Sequence, residues 1–144
     1  MNIQSGLTLR PSLFVRIVSA AFGTALALVI SSSALAADKA PEVKTAAVHA
    51  GLAASVSDIK GVRAHLHHTL NCLVGPDGQG FDANEINPCQ GMGNGAIPDT
   101  TDAARKQALK EAVDMVQSGL DSDDLATAQK AAADTKEMLE AHEM

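Results

Sequence analysis

The stretch His65–Asp99, HLHHTLNCLVGPDGQGFDANEINPCQGMGNGAIPD, decides how the chain folds. It holds three of the five histidines and both cysteines, and its second half is rich in glycine and proline. These two residue types mark turns and loops, because glycine permits positive φ and proline removes a backbone donor. The stretch therefore predicts the end of a helix followed by a long loop over residues 74–99.

Apolar residues before this loop recur at helical spacing and predict helix over residues 41–73. This stripe consists of Val48, Leu52, Val56, Ile59, Leu66, Leu70 and Leu73. Its unbroken phase favours one long helix, whereas Ser57-Asp58 offers an N-cap for a second helix. Both arrangements stay open from the sequence, with one long helix preferred.

Two further helices are predicted after the loop. Their inner faces consist of Leu109, Val113, Val116 and Leu120, then Leu125, Ala128, Ala132, Thr135 and Leu139. Gly119 is expected to end the first of them and Asp121 to cap the second, which makes the pair an antiparallel hairpin. The absence of Trp and Tyr also favours helices over a sheet. The expected fold class is all-α, an antiparallel bundle of three to four helices.

Residues 1–36 have the features of a secretory signal peptide. A basic start precedes an apolar run from Ile17 to Ile30, and Ala34-Leu35-Ala36 matches the small-x-small pattern of a cleavage site. We therefore expect cleavage after Ala36, one helical domain over residues 37–144, and a periplasmic or secreted location. A retained membrane anchor is the alternative, because the apolar run approaches the length of a membrane span.

In an exported chain, two cysteines are expected to form a disulfide. Cys72 and Cys89 enclose 16 residues. Closing a loop of that size stabilises a fold by roughly 3 kcal/mol in the chain-entropy model. The bond would make the predicted loop a long disulfide-stapled loop attached to the preceding helix. Free thiolates that bind a metal ion are the alternative.

The charge of the chain excludes some classes of partner. All 17 acidic residues but only nine of the 11 basic residues follow position 36. Such an acidic segment without a basic cluster argues against nucleic acid and against anionic membrane surfaces, and it is compatible with attracting cations. The sequence also lacks paired carboxylates in an apolar setting and any serine in a nucleophile context. We therefore do not expect an enzyme.

The histidines supply the candidate site. His65 and His68 are spaced i, i+3 on one helix face, and two such imidazoles can chelate a transition metal. His67 points to the other flank. His49 precedes it by 18 residues, which in one long helix places it on the side of His67 but far along the axis. Both are therefore expected only as secondary contributors.

Two residues near the C-terminus are expected to complete this site. The predicted hairpin returns Met138 and His142, spaced i, i+4, to the end of the molecule that holds His65 and His68. A mixed His and Met set suits copper, whereas histidines with a carboxylate would suit nickel or zinc. The alternative is structural: the imidazoles hydrogen-bond to loop groups and order the loop without any metal ion.

Four short motifs carry a resemblance to known proteins. HLHH at 65–68, NCLVG at 71–75, NPC at 87–89 and GNGA at 93–96 resemble the signature of small exported, largely uncharacterised proteobacterial proteins. That resemblance implies no activity. The hairpin over residues 119–126 and the Ala-rich helices are more weakly similar to small periplasmic metal-binding helical bundles. This second resemblance implies binding of copper, nickel or zinc by scattered histidines.

The sequence therefore predicts a periplasmic metal-binding or metal-buffering protein, with copper as the first expectation. The alternative is a non-catalytic structural or protein-interaction module whose stapled loop is the partner surface.

Overall fold

The computed structural model describes residues 41–143, and every regular element within this range is a helix. The helices are α1 (Pro41–Ser55), α2 (Ile59–Val74), α3 (Ala96–Asp99), α4 (Ala103–Asp121) and α5 (Leu125–Ala141). The predicted all-α class is confirmed for this part of the chain. The predicted signal peptide, residues 1–36, lies outside the described residues.

The preferred prediction of one long helix over residues 41–73 is wrong, because the chain turns between α1 and α2. Asp58 has an extended backbone (φ −138°, ψ 149°), and its side chain accepts a hydrogen bond of 2.9 Å from the backbone N–H of Gly61. This is the N-cap that the sequence offered as the alternative. Gln129 of α5 donates a hydrogen bond of 2.7 Å to the Val56 carbonyl, so a backbone acceptor of the turn also has a partner.

Helix α1 runs antiparallel to α2. The Thr69 hydroxyl lies 3.4 Å from the Ala46 carbonyl, and the side chains of His49 and His65 meet further along, so residue numbers rise on one helix as they fall on the other. Helix α1 also packs against α5, and α4 packs against both α2 and α5. The four long helices thus share contacts around common buried residues.

The buried face of α1 is made of small residues and differs from the predicted stripe. Its buried apolar residues are Val43, Ala46, Ala47, Ala50 and Ala53. Val48 and Leu52, which the apolar spacing placed inside, are 55% and 43% exposed. Alanine lets neighbouring helices approach closely, so α1 turns its alanines inward. The stripes of the other helices are largely buried as predicted, with Leu66, Leu109 and Leu139 inaccessible to solvent or nearly so.

The connection between α4 and α5 also differs in detail from the prediction. Gly119 does not end α4 but lies within it, buried, where an added Cβ would be 2.8 Å from Cδ1 of Leu66. The residue therefore serves close packing of α4 on α2. Asp124, not Asp121, caps α5: its side chain accepts a hydrogen bond of 2.8 Å from the Thr127 N–H.

The loop after α2 is held firmly against that helix. Sγ atoms of Cys72 and Cys89 lie at disulfide-bonding distance. The fully buried Asn71 donates to the carbonyls of Asp82 (3.0 Å) and Ile86 (3.2 Å) and accepts from the N–H of Asp82 (2.9 Å). The loop is thus fixed at two points, and its last residues form the short helix α3, which the sequence did not predict.

Candidate metal centre

Three imidazoles from two helices meet in one cluster. His49 comes from α1, and His65 and His68 come from α2. One possible ligand atom of each histidine lies within 4.8 Å of the other two. The turn at Val56–Asp58 creates this cluster, because it folds α1 back along α2. We call these three residues the histidine site.

The rings of the histidine site are close enough to interact directly. Nδ1 of His49 lies 3.4 Å from Nδ1 of His65. Ring centroids are separated by 5.6 Å for His49 and His65, 5.1 Å for His49 and His68, and 5.4 Å for His65 and His68. The His68 ring stands almost perpendicular to the other two, at 85° and 84°.

Burial and the neighbouring histidines lower the pKa of two of these rings. Burial lowers the pKa of His49 below 6.5, and the nearby His68 and His65 lower it further. Burial also lowers the pKa of His68, as does His65, while the carboxylate of Glu85 acts in the opposite direction. Neutral imidazole is the form that binds a metal ion, so at neutral pH no proton has to be displaced from either ring.

The spacing of the nitrogens suits a transition-metal ion. In a tetrahedral site with metal–nitrogen bonds of about 2.0–2.1 Å, two ligand nitrogens lie about 3.3–3.4 Å apart. The Nδ1 atoms of His49 and His65 lie 3.4 Å apart, so they match one edge of such a tetrahedron. A nitrogen of His68 completes the group, in which the three donor atoms lie within 4.8 Å of one another. The three donors of the group are all imidazole nitrogens, and the two cysteines are bonded to each other.

No protein-family model, curated protein or solved structure matches this chain. The resemblances drawn from the short motifs therefore stay predictions. Within residues 41–143, no helix combines the length and the apolar character needed to cross a bilayer.

The other predicted ligands lie outside the histidine site. His67 faces the loop, with its Nδ1 3.8 Å from Oδ2 of Asp82. His142 is the C-cap residue of α5, where its backbone N–H donates to the Leu139 carbonyl. Met138 packs against the hydrophobic core. Neither His67 nor His142 belongs to the group of mutually close donors.

The prediction that His49 lies far along the helix axis from the other histidines is wrong, and the reason is the turn. His49 and His65 lie eight residues before and eight after Ser57. A hairpin centred there pairs them. The Ser57-Asp58 cap was the signal in the sequence, and the continuous apolar spacing obscured it.

Proposed function

We propose that this protein binds a transition-metal ion through the histidine site, outside the cytoplasm, as a metal-binding or metal-buffering protein without catalytic activity. The four long helices form one antiparallel bundle in this proposal, and the site lies between two of them. The observation that carries the proposal is the convergence of His49, His65 and His68 within 4.8 Å.

The chemistry of the donors supports copper, nickel or zinc. Imidazole nitrogen suits all three ions, and the affinity order of divalent ions at such donors places copper first. The acidic composition supports a cationic ligand, since the formal charge of the chain is −6. The pattern of residues 1–36 and the cysteine pair support the location, because disulfides persist in oxidising compartments.

Metal titration of single-site variants tests the proposal. We expect the purified chain to bind Cu²⁺ or Zn²⁺ with micromolar or tighter affinity in calorimetry or in competition with a coloured chelator. His49→Ala, His65→Ala and His68→Ala should each weaken metal binding by at least about tenfold. Losing only the hydrogen-bond partner of a metal ligand already lowers metal affinity by about that factor. Binding should also fall with pH through the histidine range, because protonated imidazole does not ligate.

Two histidines outside the site provide matched controls. His67→Ala and His142→Ala remove the same side chain from the same chain, and both should retain wild-type affinity. A wild-type chain that gives no heat and no competition signal with either ion would overturn the proposal. Equal weakening by His142→Ala and His49→Ala would overturn the assignment of the site.

A structural role is the second candidate function. The separation of 3.4 Å between the Nδ1 atoms of His49 and His65 also fits an N–H···N hydrogen bond that pins α1 to α2. Ile86 and Met92 on the loop are 67% and 44% exposed, which supports the loop as a surface for a protein partner. His65→Ala would then lower the melting temperature and leave every metal titration unchanged.

A further inference from the structure

The loop brings one carboxylate to the histidine site. Oε2 of Glu85 lies 3.7 Å from Nε2 of His68. We propose that Glu85 is a positioning residue of this site: it accepts a hydrogen bond from Nε2–H of His68, which leaves Nδ1 of His68 as the nitrogen that binds a divalent metal ion. This inference rests on the proposed function and specifies the class of ion and the ligand atom.

The geometry permits this hydrogen bond with a small adjustment. A charge-assisted N–H···O⁻ bond spans about 2.7–2.9 Å, so the two side chains need to approach by about 1 Å. The Glu85 side chain is 36% exposed and has room to move, whereas the His68 side chain is only 10% exposed. The carboxylate therefore moves to the ring, and the ring stays where the packing of α2 places it.

The other nitrogen of His68 has no partner. Its Nδ1 atom is buried without a hydrogen bond. Burying a polar atom without a partner is costly, and among the three mutually close histidines His68 is the one that carries such an atom. His49 and His65 also bring their Nδ1 atoms together, at 3.4 Å. A metal ion bound by the Nδ1 atoms of all three histidines would give the buried nitrogen of His68 its partner.

Glu85 is held in place by the structure of the loop. Asn71 binds the backbone of Asp82 and Ile86, which lie on either side of Glu85 in the chain. Cys89 is then joined to Cys72 on α2. These attachments order the backbone around the carboxylate before any metal ion arrives, and preorganised partners of ligands strengthen metal binding.

Among the described residues, the group of mutually close donors consists of the three histidines. Glu85 lies beside this group and does not belong to it. A carboxylate hydrogen-bonded to a metal-binding histidine raises the basicity of the ligand nitrogen. It also adds a negative charge beside three neutral ligands, and that charge attracts a dication more than a monocation. The site should therefore prefer Zn²⁺ or Cu²⁺ over Cu⁺.

A second histidine–carboxylate pair provides the control. Nδ1 of His67 lies 3.8 Å from Oδ2 of Asp82, nearly the same separation, in the same loop and on the same helix. His67 is outside the histidine site, so neutralising Asp82 removes an equivalent charge without touching a proposed ligand.

The first experiment compares Glu85→Gln with Asp82→Asn in a Zn²⁺ titration of the full chain. We expect Glu85→Gln to raise the Kd for Zn²⁺ by about 10- to 100-fold, the usual effect of losing such a partner, and Asp82→Asn to change it by less than about twofold. Zn²⁺ binding to the wild-type chain with equal Kd values for the two variants would overturn the role of Glu85. If the wild-type chain binds Cu²⁺ but not Zn²⁺, the same two variants are compared in a Cu²⁺ titration; binding of neither ion would overturn the proposed function itself.

The second experiment reads the proton position without any metal ion. ¹⁵N spectra of the histidine rings in the metal-free chain, at a pH where all rings are neutral, distinguish Nε2–H from Nδ1–H. We expect Nε2–H for His68 in the wild-type chain and a mixture of both forms in Glu85→Ala. Nδ1–H in the wild-type chain, or no change in Glu85→Ala, would overturn the inference whether or not a metal ion binds.

Discussion

The two histidines with lowered pKa values, His49 and His68, make the metal-free protein sensitive to acid. In the unfolded chain these residues take up protons near pH 6.5, whereas in the folded chain burial and neighbouring histidines delay protonation to lower pH. The unfolded state therefore binds more protons in the window below pH 6.5, so stability increases with pH there. As the pH falls through the window, the folded state loses stability.

The direction of this pH dependence can be checked by unfolding the protein with a denaturant. With a chelator present, the free energy of unfolding should decrease as the pH is lowered from about 7.5 through the histidine range. In a variant with His49→Gln and His68→Gln, the free energy of unfolding should depend less steeply on pH, because the variant lacks both histidines whose pKa is lowered by folding. Equal slopes for the two chains would contradict the prediction, since other groups would then account for the pH dependence.

The same residues show what the sequence could and could not predict about the site. His65 and His68 were predicted together because their separation of three residues within one helix fixes a shared face. His49 was predicted only as a distant contributor, because its position depends on where the chain turns. His142 and Met138 were predicted from the direction of a helix alone, and direction does not determine which side of the helix faces the site.

At the scale of the helices, prediction succeeded where large apolar residues form the inner face. Helix α2 buries Leu66, Leu70 and Leu73, as their spacing indicates. In α1 the spacing pointed to Val48 and Leu52, but the buried positions are mostly alanine. Alanine suits both a closely packed interior and an exposed helix, so hydropathy alone does not distinguish the two faces of α1. The continuous stripe then concealed the turn.

The stapled loop carries a prediction at this scale. Replacing both Cys72 and Cys89 by alanine should cost roughly 3 kcal/mol of stability, because the unfolded chain is no longer constrained. It should also weaken Zn²⁺ binding, since the loop backbone around Glu85 loses one of its two attachments to α2. Alanine brings no new ligand, which separates this effect from metal binding by free thiols.

Combining the cysteine and Glu85 substitutions tests whether the disulfide strengthens Zn²⁺ binding through Glu85. If the disulfide acts on the metal ion through Glu85, adding Glu85→Gln to the cysteine-free chain should weaken Zn²⁺ binding less than Glu85→Gln does in the wild-type chain. Far-ultraviolet circular dichroism would verify that the cysteine-free chain is still helical. Full additivity of the two changes would contradict the coupling.

For the molecule as a whole, the important property of the histidine site is that it joins two helices. His49 belongs to α1 and the other two histidines to α2, and these helices are joined in the chain by the short turn at Val56–Asp58. A metal ion that binds all three imidazoles therefore binds the folded arrangement and not the unfolded chain. By mass action, such an ion stabilises the fold.

This linkage predicts the thermal behaviour of the protein. Free Zn²⁺ at a hundredfold excess over its Kd should stabilise the wild-type chain by about 2.7 kcal/mol, which scanning calorimetry detects as a higher melting temperature that a chelator reverses. His142→Ala should keep this increase, because that residue caps α5 away from the mutually close donors. His49→Ala should lose most of it, because the remaining two ligands lie on one helix and no longer join α1 to α2. If His49→Ala retained the full increase, the metal ion would be held by α2 alone.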